Sequence, residues 1–247
     1  MPGVEVRASY EQIVDCCQQG WVMCGRPTAG RSKLPASRTE AAKAAREKIS
    51  VTGASDPIYG KGRSKQMIES AIREQIGKVT GELTADDFVR VTKLDLANTQ
   101  VSDISVLTKC KALKWLDLTN TQVSDVSPLA ACTALEWLCL TSTQVSDVSP
   151  LAKCKVLKWL SLNSTWVSDI SALAGCTALE SLFLTSTQVS DISALAKCKA
   201  LESLSLTSTQ VSNVSALTAC TALGGLWLIN TRVSDVSMLA ECVHVER

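Results

Sequence analysis

Leu113-Lys114-Trp115-Leu116-Asp117-Leu118-Thr119-Asn120-Thr121-Gln122-Val123-Ser124-Asp125-Val126-Ser127-Pro128-Leu129-Ala130-Ala131-Cys132-Thr133-Ala134 is one 22-residue unit, and the stretch from Val91 to Cys242 writes it about seven times. Cys110, Cys132, Cys154, Cys176, Cys198, Cys220 and Cys242 fall one period apart. A fixed period in this range marks a solenoid, in which each unit buries its apolar face only against its neighbours. Within Leu113 to Leu118, alternation sends Leu116 and Leu118 to one face of a strand and Trp115 and Asp117 to the other. Ser127-Pro128 and Ser149-Pro150 match an N-cap followed by proline at the first helical position. Short 3₁₀ turns are therefore expected to return the chain to the next strand, with Val126 and Leu129 filling the core from that side.

The unit resembles the leucine-rich repeat, and its length is similar to that of the short subclass found in internalins and in the leucine-rich regulatory subunit of protein phosphatase 1. The resemblance covers roughly two-thirds of the chain. It implies an α/β solenoid, or horseshoe, with a parallel sheet on the concave face, 3₁₀ or irregular segments on the convex face and a helical N-terminal cap. One departure is visible. Where the family carries Asn in the turn after the strand, this chain has Thr99, Thr121, Thr143, Thr165, Thr187, Thr209 and Thr231, whose hydroxyls can bond turn backbone instead.

Composition agrees with a globular chain able to bury a continuous core: 247 residues, 46% hydrophobic and 20% charged. A formal charge of +1 argues against nucleic acid or a membrane surface as partner. The start, Met1 to Arg7, has no apolar signal core. Seven of the 11 cysteines share one repeat position, where a buried apolar residue is expected. Reduced core thiols fit a cytoplasmic compartment. Cys16, Cys17 and Cys24 lie outside the repeat, and with His244 as the single histidine no four-ligand zinc spacing can be assembled.

Residues 1–62 read as a mildly basic leader with short helices expected near 10–18 and 38–49, from the Ser9/Gln12 and Ser37/Glu40 capping spacings. Gly60-Lys61-Gly62 lacks the spacing and the Ser or Thr of a phosphate loop. Residues 63–90 read as the cap: Met67, Ile68, Ala71, Ile72 and Ile76 fall on one helical face, Gly77 stops it, and Thr84 with Asp87 opens a second short turn. Residues 91–247 are the repeats. At their far end Val245 takes the place of the next unit's first leucine. Leu226, Leu228, Val236 and Leu239 are therefore expected to present an unshielded edge, a possible site of end-to-end self-association.

Core and turn positions hardly change between units, whereas the outward strand positions vary. They run Lys93, Trp115, Trp137, Trp159, Ser181, Ser203, Gly225 and Asp95, Asp117, Cys139, Ser161, Phe183, Ser205, Trp227. Strands about 4.8 Å apart place Trp115, Trp137 and Trp159 in a ladder. Trp166 breaks a run of Gln100, Gln122, Gln144, Gln188 and Gln210 beside it. Aromatics of roughly 150–250 Å² each on a solvent-facing sheet point to an interaction surface. The expected function is non-enzymatic binding of a protein partner through Trp115, Asp117, Trp137, Cys139, Trp159, Ser161, Trp166, Phe183 and Trp227. Sugar or small-ligand recognition by the same rings is the alternative. Cys139, facing outward, is expected to be reactive. No catalytic residue, cofactor or metal is expected. The column Asp103, Asp125, Asp147, Asp169, Asp191 and Asp235 supplies one carboxylate per unit, which suits turn capping better than calcium.

Overall fold

The computed structural model describes residues 57–239 and 244–246. The expected leader helices, Cys16, Cys17, Cys24 and Cys242 lie outside them. Eight three-residue strands form one parallel sheet in chain order: β1 (Lys93–Asp95), β2 (Trp115–Asp117), β3 (Trp137–Cys139), β4 (Trp159–Ser161), β5 (Ser181–Phe183), β6 (Ser203–Ser205), β7 (Gly225–Trp227) and β8 (His244–Glu246). From β1 to β7 the register is one whole repeat, so Leu94, Leu116, Leu138, Leu160, Leu182, Leu204 and Leu226 pair in line. Together with Leu96, Leu118 and their equivalents they form a single buried stack.

Behind the sheet, 3₁₀ turns at Ser105–Lys109, Ser127–Ala131, Ser149–Lys153, Ser171–Gly175, Ser193–Lys197 and Ser215–Ala219 close each unit. The aspartate column caps these turns as expected, whereas the serine side chains do not cap: Asp125 Oδ1 accepts from Ser127 N at 2.8 Å. Asp103, Asp147, Asp169, Asp191 and Asp235 repeat the bond at 2.7–2.8 Å, and Asn213 makes it to Ser215 N at 2.8 Å. An Asx oxygen two residues upstream reaches the first amide, whereas a serine already inside the turn cannot. Asp169 is held below its ordinary range by this backbone bond and by the Ser171 hydroxyl. Gly175 marks a close approach of two units, since a Cβ there would meet the Ala152 carbonyl oxygen at 2.9 Å.

The cysteine column does more than fill space. Cys132, Cys154, Cys176, Cys198 and Cys220 each point a thiol at a leucine carbonyl one unit back, Leu107, Leu129, Leu151, Leu173 and Leu195, at 3.2–3.6 Å. Each of those carbonyls also accepts the 3₁₀ bond of its own turn, so the sulfur satisfies the second lone pair. All the cysteines among the described residues are free. Burial pushes the Cys132 and Cys176 thiols up to about 12 and those of Cys110, Cys154 and Cys198 up to about 11.

The threonines after the strands serve their own turns, as expected. Thr121, Thr143, Thr165, Thr187 and Thr209 are buried, and each hydroxyl donates to the carbonyl three residues back at 2.6–2.8 Å. The residue before each threonine, Asn98, Asn120, Ser142, Ser164, Ser186, Ser208 or Asn230, adopts φ of +55 to +59°. Three of the seven are Asn, which tolerates this left-handed position better than most side chains.

The N-terminal cap begins earlier than expected, because α1 spans Pro57–Ile76 and takes in Gly60-Lys61-Gly62. Ile68 and Ile72 are fully buried against the first repeat. Gly77 ends the helix at φ +68°, and Lys78 N donates back to the Arg73 carbonyl. Buried Ser64 accepts from the amides of Ser102 and Asp103 at 3.0 and 3.3 Å, bonds that sequence periodicity does not announce. α2 (Ala85–Val89) carries the Thr84/Asp87 capping box, and Lys78 Nζ lies 2.6 Å from Asp87. The lysine bond, then those from the Thr84 backbone and hydroxyl, hold the Asp87 carboxyl well below the usual carboxylate range.

At the other end the expected bare edge is corrected. β8 pairs with β7, setting Val245 opposite Leu226, three residues short of a full repeat. His244 N bonds Gly224 O, and Leu228 N bonds Glu246 O, both at 2.8 Å. Leu226 and Leu228 are buried, whereas Val236 and Leu239 stay partly exposed.

Candidate binding face of the sheet

Alternation within each three-residue strand puts its central leucine in the core and its outer two residues on the open face. The first outer column holds the ladder anticipated from the repeats. Trp115 and Trp137 stack with centroids 4.5 Å apart and planes 9° apart, and Trp137 and Trp159 at 4.3 Å and 6°. In-register pairing of consecutive strands dictates this near-parallel geometry. Both ends of the ladder are closed. Lys93 Nζ sits 4.2 Å from the Trp115 centroid, and the Phe183 ring leans on Trp159 at 5.5 Å and 46°. Exposure falls along the stack, for Trp115 and Trp137 are half-buried while Trp159 is only 5% exposed. Its Nε1 is buried with no hydrogen-bond partner among the described residues.

The second outer column lies lower. Asp117, Cys139 and Ser161 are 5%, 4% and 1% exposed, so the expectation of a reactive Cys139 fails. These short side chains are bonded laterally to one another and to the threonines that follow the strands. Thr119 Oγ1 donates to Asp117 Oδ1 at 2.6 Å and lies 3.1 Å from Cys139 Sγ, which in turn is 3.3 Å from Thr141 Oγ1; Thr141 and Ser161 hydroxyls are 2.8 Å apart. Burial, then the neighbouring Asp117 charge, pushes the Cys139 thiol up to about 11 against the Thr119 and Thr141 bonds. Burial likewise raises the Asp117 carboxyl, opposed by Thr119.

Further along, the face opens. Phe183 and Trp227 are half-buried, and the Trp227 ring folds back over Gly225, where an added Cβ would meet its Cη2 at 3.0 Å. Between them β6 offers only Ser203 and Ser205. Beside the ladder runs a charge row in which Lys114 pairs with Glu136 and Lys158 with Glu180, both at 3.0 Å. Glu202, next in that row, is exposed and has no ion pair among the described residues.

Trp166 stands apart, 62% exposed in the column that otherwise holds glutamines, where Gln122 Nε2 donates to Gln100 Oε1. No ring contact joins it to the stack among the described residues. The described residues contain no group of His, Cys, Asp and Glu placed to hold a metal ion, and no helix among them is long and apolar enough to cross a membrane.

A family profile for leucine rich repeats in two copies matches residues 89–131 and 155–197. Among solved structures, the chain is similar to an internalin (inlF) of Listeria monocytogenes, with 28% identity and a TM-score of 0.68 over 74% of this chain; the match spans 56% of that protein's length. Internalin C2 of the same organism is 28% identical with a TM-score of 0.57, covering 72% of this chain and 90% of the other. A leucine-rich-repeat protein of Leptospira interrogans shares the fold at 17% identity and a TM-score of 0.55, over 63% of this chain and 48% of its own. No curated protein sequence matches. The periodic sequence, the in-register parallel sheet, the helical cap and these likenesses together make the chain an internalin-like leucine-rich-repeat protein.

Proposed function

We propose that this protein is a non-enzymatic binding module that holds a protein partner against the concave, Trp-bearing face of its sheet. An internalin-like repeat fold supports protein–protein interaction in general. The finer reading rests on one observation: on a scaffold whose units are otherwise nearly copies, the indoles of β2 and β3 remain half-exposed on the open face even after stacking on each other. Aromatic edges of this kind, fixed by neighbours and low in conformational freedom, are typical anchors of protein interfaces. Trp166, Phe183 and Trp227 extend the surface. Asp117, Cys139 and Ser161 act beneath it, holding the strand turns in place through their hydroxyl and thiol bonds.

On the Trp115–Trp159 ladder the sugar-binding alternative loses support on geometry. A pyranose stacks on a free ring face, yet Trp137 is covered on both faces by its neighbours, Trp115 by Lys93 and Trp137, and Trp159 by Trp137 and Phe183. The row of free thiols favours a reducing, cytoplasmic setting. Replacing Trp115 and Trp137 by Ser should leave the far-UV circular dichroism intact and remove partner capture, while a glycan array stays blank. Undiminished capture by the double variant would reject the reading.

A further inference from the structure

The aromatic ladder has a missing rung. Rings rise from β2, β3 and β4 in one column and from β5 and β7 in the next, whereas β6 carries Ser203 and Ser205. With strands about 4.8 Å apart, β5 and β7 stand about 9.6 Å from each other. The filled rungs are separated by 4.3–4.5 Å, so the gap over β6 is the width of one further flat group with a ring contact on each side. Phe183 closes one wall, having only one of its sides taken by Trp159. Trp227 stands on the other side, on β7, with its ring folded over Gly225 of the same strand. Ser203 is half-buried and Ser205 buried, which gives a floor of small hydroxyls.

The charge around the notch selects what fills it. In the flanking row Glu180 is neutralised by Lys158 at 3.0 Å, but Glu202, immediately before Ser203, has no ion pair among the described residues, and Gly224 follows it in the row with no side chain to reach it. On the far side of Trp227, β8 places Glu246 in register with the ring. Lys93, the cation on the open face that touches the ladder, sits at its opposite end on Trp115. A flat slot between two aromatic rings with an unpaired carboxylate at its rim matches a guanidinium, which is planar, stacks on aromatic faces and forms charge-assisted bonds to carboxylates.

We infer that the notch over β6, walled by Phe183 and Trp227 and rimmed by Glu202, receives an arginine side chain of the protein partner. This deepens the binding reading above and rests on it.

The test uses the full chain labelled with ¹⁵N and follows the Trp227 indole N–H, assigned by a Trp227→Phe variant. The probes are N-acetylarginine amide, its neutral isostere N-acetylcitrulline amide, and N-acetyltyrosine amide. The arginine probe should shift the Trp227 signal saturably at millimolar concentration, and the other two should not. Glu202→Gln, an exposed change that leaves the core alone, should weaken the arginine effect roughly two- to fivefold, the size of an exposed ion pair. Ser203→Trp, which supplies the missing rung, should abolish it with the circular dichroism unchanged. Equal shifts from citrulline or tyrosine amide, or no shift from arginine, would overturn the assignment. Partner capture separates the two levels. If Trp115→Ser/Trp137→Ser loses the partner while Glu202→Gln and Ser203→Trp keep full affinity, the notch is wrong and the concave face stands; if all of them keep it, the concave face itself is wrong.

Discussion

Trp159 tests whether the ladder supports the fold as well as facing a partner. The residue is 5% exposed and touches a ring on each side. Removing its indole forfeits the burial of about 200 Å² of aromatic surface, worth about 5 kcal/mol at ~25 cal/mol per Å². The two ring contacts add about 0.5–1.5 kcal/mol each. Against this, the wild-type Nε1 is buried without an acceptor, a cost of about 1–3 kcal/mol that truncation relieves. These terms sum to about 5 kcal/mol, and because the face is open, so that water can enter the gap and little cavity cost is added, Trp159→Ala is expected to lose about 3–5 kcal/mol. Trp159→Phe keeps a ring between its neighbours and removes the orphan N–H, and should stay within about 1 kcal/mol of wild type. Urea unfolding followed by far-UV circular dichroism, with the slope held equal across variants, reads both values. A loss below about 1 kcal/mol for Trp159→Ala would refute the argument that the stack is structural at its inner end. The same burial makes Trp159 a poor probe of binding, and for that reason the binding test confines itself to the half-exposed Trp115 and Trp137.

Three further outcomes follow from the repeat chemistry. Column cysteines and Cys139 alike should resist thiol reagents in the native protein at pH 8 and react after denaturation; since folded values near 11–12 exceed the unfolded value near 9, stability should be full below pH 9 and fall as pH rises toward 12. Asp125→Asn should be nearly neutral, because Asn213 makes the same bond at 2.8 Å in its own unit, while Asp125→Ala should cost about 1 kcal/mol in a thermal melt. Ending the chain before His244 strips Leu228 N and Gly224 O of their partners and leaves β7 as a bare parallel edge; light scattering across a concentration series should then show association, or hydrogen exchange should show fraying at 226–228, and neither change would mean that β8 does not cover the stack.

What the sequence made legible was whatever recurs. The Leu, Cys, Thr and Asp columns each have a fixed offset from the strand, so their burial or turn role could be read from one unit and multiplied. The ladder was legible too, since a parallel register of one whole repeat places Trp115, Trp137 and Trp159 side by side. What escaped was whatever depends on neighbours across repeats. Cys139 occupies an outward strand position, yet it is buried with the Thr119 and Thr141 hydroxyls beside it. Ser64 satisfies amides of Ser102 and Asp103 across a long sequence separation that no local pattern encodes. A 22-residue count places Val245 opposite Leu223, whereas β8 pairs it with Leu226, where backbone groups of β7 need partners. The left-handed turn is signalled not by the invariant Thr but by the mixed Asn and Ser one position before it, at Asn98, Asn120 and Asn230 among serines.

The concave-face claim is tested most directly by site-specific photo-crosslinking. A benzophenone amino acid is placed in the full chain at position 137 on the open face, at 166 beside the sheet, or at Lys153, exposed on the 3₁₀ side, and irradiated in the presence of partner. The account predicts an adduct from position 137, and from 166 if the interface reaches that far, with none from 153. An adduct from position 153 together with none from 137 would contradict it.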